Sequence, residues 1–185
     1  MKVINFFGAP GVGKTTSTMD LTSMLKKSQI DAEPSLEVVK EYIHSNSEHL
    51  LAYQNYIFAQ QERQLSILKN SNEVEFAVTD APLLLCPFYA PKEYPVFFKE
   101  LVFEIFHSYD NLNFFIHRKH AYSHQGRIHS EKESCIVSKK LHSFLINHNI
   151  KFMEIDSTQD LTEIFKHILN HHRVDNYQTD KKQRN

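Results

Sequence analysis

The segment Gly8-Ala9-Pro10-Gly11-Val12-Gly13-Lys14-Thr15-Thr16 constrains this chain more than any other. It satisfies the spacing GxxxxGK[ST] throughout. Residues 2–7 (KVINFF) precede it, an apolar run of β-formers that reads as a buried strand. Residues 14–28 follow it, with Met19, Leu21, Met24 and Leu25 at helical spacing. The chain holds four glycines, and three of them sit in this one turn. Glycine tolerates positive φ, so successive backbone N–H groups can turn inward around an anion. The helix that follows adds the positive end of its dipole. Lys14 can reach the β- and γ-phosphates of a nucleoside triphosphate, and Thr15 offers a hydroxyl to magnesium. The whole loop, Gly8, Ala9, Pro10, Gly11, Val12, Gly13, Lys14, Thr15 and Thr16, is therefore expected to hold a nucleoside triphosphate with Mg2+.

The rest of the chain alternates strand and helix signals. Residues 30–34 suggest a second strand ended by Pro34, and residues 36–45 a helix with Leu36, Val39 and Ile43 on one face. Residues 48–69 carry one long helical pattern, and residues 74–79 (VEFAVT) a strand ending at Asp80. An apolar helix over 95–107 leads through a turn at Tyr109-Asp110-Asn111 into a strand at 112–117. Residues 119–133 read as a mobile charged loop, 134–148 as a helix, 151–155 as a last strand and 158–171 as a closing helix. Ser130 and Glu133 have capping-box spacing. Strand–helix alternation repeated about five times predicts a parallel sheet covered by helices on both faces. The expected domain is 1–172, with a lid near 118–134 and a polar, disordered tail at 173–185.

Composition narrows the function classes. With 21 basic and 22 acidic side chains, the net charge of −1 advertises no nucleic-acid groove. Cys86 and Cys135 lie far apart, without metal-ligand spacing, and suit a reducing compartment. The 12 histidines are scattered; His120/His124 and His167/His171 are spaced i, i+4, but neither pair has carboxylates set around it, so no histidine metal centre is expected. No stretch approaches the ~18 apolar residues a membrane helix needs, and the expectation is a cytoplasmic protein without a membrane partner.

Beyond the loop, Asp80 stands at the end of a strand, where an acid can sit on the magnesium side of a triphosphate. Followed by Ala81-Pro82, it could equally cap a helix. Glu33, Glu37 and Glu41 offer candidates to orient or deprotonate an acceptor hydroxyl, or else a solvated helix face. Arg118 and Arg127 could close over the charge of a transferring phosphoryl group, or simply decorate an exposed loop. Tyr42, Tyr53, Tyr56, Phe88 and Tyr89 could stack on a base or pack in the core.

Together, GAPGVGKTT, EVVKEYI, TDAPL and HRKxxxxxxxGR resemble the P-loop nucleoside and nucleotide kinases over about 150 residues. The ribosylnicotinamide-kinase-like branch, which includes many phage-encoded ATP-binding proteins, is the nearest in flavour. The Glu33-Pro34 pair is similar to the EP dipeptide of deoxynucleoside kinases, whose glutamate is a base. The chain departs from those kinases in lacking an arginine after Thr79-Asp80-Ala81, and its lid is thin in arginine. The resemblance implies an α/β three-layer P-loop NTPase fold, a five-stranded parallel sheet of order 2-3-1-4-5, and ATP with magnesium; it leaves the acceptor open.

The reading is an ATP- and Mg-dependent phosphotransferase acting on a nucleoside or nucleotide. Lys14, Asp80, Glu37, Glu33, Arg118 and Arg127 are its catalytic candidates, and Thr15 and Asp80 its metal-side pair. The alternatives are a kinase of nucleic acid, or an ATP-driven switch without a small acceptor. A GTPase is disfavoured because NKxD is missing, and an AAA-type machine because the chain leaves no room for sensor and oligomerisation segments.

Overall fold

A computed structural model describes residues 1–39, 42, 45–119, 130–157 and 161–169. The strands are β1 (Lys2–Phe7), β2 (Ala32–Ser35), β3 (Phe76–Thr79), β4 (Asp110–His117) and β5 (Met153–Asp156). All pair in parallel in one sheet of order β2-β3-β1-β4-β5. The helices are α1 (Lys14–Lys27), α2 (Gln54–Asn70), α3 (Leu85–Tyr89), α4 (Val96–His107), α5 (Glu131–Asn147) and α6 (162–169).

Side-chain alternation along the strands feeds two cores. Val3, Phe7, Ala77 and Phe115 meet α2, α4 and α5 through Ile57, Phe58, Leu65, Val102, Phe106, Leu141 and Leu145. Ile4, Phe6, Phe76, Val78, Phe114 and Ile116 meet α1 through Leu21 and Leu25, and α6 through Ile164 and Ile168. Helices therefore cover both faces, as the strand–helix alternation predicts.

One polar residue is buried within the central strand. Asn5 is 1% exposed, and its amide donates to Asn111 Oδ1 at 2.9 Å and Asn113 Oδ1 at 3.0 Å on β4. Buried amides persist where partners satisfy them, and β4 supplies both.

Several boundaries differ from the sequence expectation. Pro34 does not end β2, which runs on to Ser35. β2 is an edge strand, where a missing N–H costs no ladder bond. Asp110 and Asn111 are not a turn but the start of β4, where Lys2 Nζ reaches Asp110 at 2.6 Å and Asn5 reaches Asn111. The 48–69 pattern splits into a 3₁₀ turn (Glu48–Ala52) and α2, with Tyr53 between them 57% exposed instead of in the core. Met19 faces out of α1, where Thr18 and Thr22 share the buried face with Leu21 and Leu25. The short helix α3 gave no sequence signal. Lys40, Glu41, Ile43 and His44 of the expected 36–45 helix lie outside the described residues, as do the 120–129 part of the loop, 158–160, and 170–185, which holds the tail. Among the described residues, no helix is long and apolar enough to cross a membrane.

Candidate active site

The loop leaves β1 at Phe7 and enters α1 at Lys14. Gly8, Gly11 and Gly13 have φ of 152°, 85° and 98°. Gly8 is constrained twice. A Cβ there would sit 2.7 Å from Val12 Cγ2 and 3.0 Å from the Ile116 carbonyl oxygen of β4. Gly13 has open space around it, so its requirement is backbone conformation alone. Gly13 is also the helix N-cap, with no side chain to occupy the end of α1. The first-turn N–H groups of α1 are thus presented at the loop. The half-buried Lys14 ammonium donates to the Gly8 and Ala9 carbonyls at 3.0 and 3.2 Å.

Asp80 lies beside this loop because β3 is the immediate neighbour of β1. Its carboxylate is 1% exposed and accepts on both oxygens. The Thr15 hydroxyl donates to Oδ2 at 2.5 Å, and the Glu37 backbone N–H donates to Oδ1 at 2.8 Å. The capping alternative fails. No helix starts at Ala81; its N–H donates to Thr79 Oγ1, and α3 begins only at Leu85. Asp80 joins the phosphate loop to the segment that follows β2.

Glu37 is half-buried on that segment. Its charge acts on two neighbours across the site. Burial first, and then the Glu37 carboxylate, push the Cys86 thiol up to about 12. The same two causes raise the Tyr89 phenol above its ordinary value. Cys86 is buried and donates to Gln61 Oε1 at 3.4 Å. Tyr42 bonds to Gln60 through its hydroxyl and stacks on Tyr56 with ring centroids 6.3 Å apart. The Glu37 charge thus reaches Cys86 and Tyr89, and Gln61 bonds Cys86.

Gln61, 5% exposed on α2, escaped the sequence reading. The signal was available. Gln54 and Gln61 interrupt an apolar stripe of Ile57, Phe58 and Leu65 at i, i+3, i+4, i+7 spacing, and a polar residue on a buried face needs a partner. Phe88 packs edge-on against Phe144 of α5.

Two catalytic candidates are placed differently from expectation. Glu33 pairs with Lys26 in the last turn of α1, at 2.6 Å, with both side chains well exposed. Lys14 is at the other end of that helix, so the structure does not bring Glu33 to the loop. Arg118 lies at the end of β4 with its side chain 11% exposed, ion-paired to Glu131 at 3.2 Å and donating to Cys135 Sγ at 3.3 Å. It is folded onto α5, not displayed as a mobile loop residue. Arg127 is outside the described residues. The Ser130–Glu133 capping box is present in full and starts α5 three residues before its expected beginning. Among the described residues no cluster of His, Cys, Asp and Glu could hold a metal ion.

Solved structures share this fold. A NadR protein in complex with NR superposes with a TM-score of 0.67 at 21% identity, over 86% of this chain and 46% of that one. A NadR protein in complex with NAD and AMP-PNP gives 0.62 at 19%, over 84% and 44%. Deoxyadenosine kinase from M. mycoides with products dCMP and a flexible dCDP gives 0.54 at 16%, over 93% and 99%. The chain thus spans a little under half the length of the NadR chains. At these identities the likeness is one of fold. No curated protein matches the sequence. A model for the AAA domain matches residues 3–163, from β1 into α6, and the chain belongs to that family although an AAA-type machine was not expected from its length.

Proposed function

We propose that the protein is a P-loop phosphotransferase that moves the γ-phosphoryl group of ATP to a hydroxyl of a nucleoside-like acceptor. The carrying observation is the doubly engaged Asp80, which takes Thr15 of the loop on one oxygen and the backbone of Glu37 on the other. One buried carboxylate thereby couples the triphosphate side to the acceptor side.

The loop amides and Lys14 bind and orient the β- and γ-phosphates. Thr15 and Asp80 bring two hard oxygen donors together, which fits Mg2+. When bound, that ion supplies charge neutralisation at the phosphates. The acceptor oxygen bonds to the γ-phosphorus as the bond to the β–γ bridging oxygen breaks and ADP leaves. The hydroxyl proton passes to a carboxylate. Asp80 is engaged by Thr15 on the magnesium side, so the role is assigned to Glu37, whose charge reaches Tyr89 and Cys86. Its negative charge favours an uncharged nucleoside over a nucleoside monophosphate, whose phosphate it would repel. Gln61 and the Tyr42–Tyr56 stack supply amide and aromatic surface of the kind that holds a base. The M. mycoides deoxyadenosine kinase, which the chain matches over nearly its whole length, supports this class of acceptor. Arg118 is held on α5 by Glu131, which leaves Arg127 as the proposed charge-stabilising residue during transfer.

The family match favours one second reading, an ATP-driven module that releases phosphate to water. A single experiment separates the two. Labelled ATP and magnesium are supplied with a panel of nucleosides, nucleoside monophosphates, nicotinamide riboside and modified DNA, with Lys14→Ala as the blank. Label in a nucleoside product supports the kinase. Label only in a monophosphate or in DNA overturns the acceptor assignment, and label only in inorganic phosphate supports the second reading.

A further inference from the structure

The phosphate loop has a support that its own sequence does not contain. The Ser134 hydroxyl on the first turn of α5 donates to the Pro10 carbonyl at 2.8 Å, and Ser134 is 1% exposed. Three consecutive loop carbonyls are therefore held. Gly8 and Ala9 are bonded by Lys14, and Pro10 by Ser134. The two sets differ in what a triphosphate does to them. Phosphate oxygens compete for the Lys14 ammonium, whose bonds to Gly8 and Ala9 then weaken. The Ser134 bond involves no group that binds phosphate, so it is the one that can persist.

Ser134 is itself fixed. The capping box of Ser130 and Glu133 stiffens the start of α5. The Arg118–Glu131 ion pair, with the Arg118 contact to Cys135, ties that turn to the end of β4. The same end of β4 presses the Ile116 carbonyl against Gly8. The loop is thus gripped at Gly8 by β4 and at Pro10 by α5, and Arg118 joins the two grips.

We propose that Ser134 is a positioning residue of the phosphate loop. It holds the Pro10 carbonyl so that the loop amides stay turned toward the nucleotide, and Arg118–Glu131 keeps it in place. The proposal rests on the nucleotide-binding part of the function above.

The test is titration calorimetry with ADP and a non-hydrolysable ATP analogue on the full chain, beside the melting temperature of the nucleotide-free protein. Ser134→Ala leaves the partly buried Pro10 carbonyl without its donor, and nucleotide affinity is expected to fall about tenfold. A role in stability alone would lower the nucleotide-free melting temperature and leave affinity unchanged. Should Ser134→Ala fold poorly, Glu131→Ala serves, since Glu131 is on the surface and its loss frees the same turn; affinity is expected to fall about two- to threefold. Wild-type affinity in both variants would overturn the proposal while leaving the function standing. A wild-type protein that binds neither nucleotide would overturn the function and this proposal with it.

Discussion

Thr15 and Asp80, 65 positions apart in sequence, meet through a hydrogen bond of 2.5 Å from hydroxyl to carboxylate. The contact exists because β1 and β3 are parallel neighbours: β3 ends at Thr79, paired with Asn5, so Asp80 follows beside the last residues of β1 that lead into the loop. Ligands of open α/β sheets bind over those ends. In Asp80→Asn the amide keeps the shape but loses the charge. The proposed phosphotransfer should fall about 100-fold or more, while ADP affinity without magnesium changes little. Equal losses in both, by turnover assay and calorimetry, would make Asp80 a structural prop of the loop.

Lys14→Ala removes the ammonium that bridges the Gly8 and Ala9 carbonyls. Turnover should drop by about two orders of magnitude or more. Circular dichroism should report an intact fold, because Lys14 is half-buried at the surface of α1. A variant turning over at the wild-type rate would refute the site.

The loop glycines should differ in cost. Gly8→Ala forces a methyl against Val12 and the Ile116 carbonyl and demands a strained φ. Overpacking and strain together predict a loss of about 3 kcal/mol or more. Gly13→Ala meets only the strain, about 1–2 kcal/mol. Urea denaturation of the two variants checks the order, and an equal cost would mean that the Gly8 contacts relax freely.

The two thiols should behave oppositely. Cys86 is buried, with its pKa pushed up to about 12, so almost none is thiolate at pH 8. Cys135 is exposed. Iodoacetamide at pH 8, read by mass spectrometry of peptides, should label Cys135 in the native protein and Cys86 only after unfolding.

Glu154 accepts from His142 at 2.8 Å and His117 at 3.1 Å, tying β5 to α5 and to β4. The hydrogen bond from His142 is the largest of the influences that together lower its pKa. A carboxylate with a depressed folded pKa adds stability above its unfolded value, near 4.5, and loses that stability as pH falls through the folded value. The group is half exposed, so screening keeps the contribution below about 1 kcal/mol. The stability gap between wild type and Glu154→Gln should be present at pH 6 and closed at pH 3. A gap that persists at pH 3 would assign it to packing.

The sequence carried the loop, the parallel alternation and the α5 capping box because each is a local pattern with one physical meaning. Asp80 was legible as a strand-end acid, but its choice between cap and site depended on where the next helix begins, which is set by tertiary packing. Glu33 read as a base from its place near the end of the second strand and from the Glu33-Pro34 dipeptide; what decides is that β2 places its side chain at the far end of α1, against Lys26. Arg118 read as mobile because its chain neighbours are polar, yet its partners Glu131 and Cys135 are 13 and 17 residues away. Ser134 was silent for the same reason, whereas Gln61 is marked by its place in the apolar stripe of α2 but not by its partner. A lone serine or glutamine gains meaning only from the group brought opposite it, here the Pro10 carbonyl and the Cys86 thiol.

The buried amide of Asn5 bears on the loop as well. Sliding β4 by one residue would turn Asn111 and Asn113 to the other face and strand that amide in the core, at a cost of a few kcal/mol. Sliding it by two would leave only one of the two carbonyls within reach. The height of Ile116 relative to Gly8 is thereby set from below, at the foot of the sheet. Errors of strand alignment that a purely apolar interface would tolerate are penalised before they reach the loop, so the depth of the phosphate cradle follows from asparagines roughly half a strand-length away.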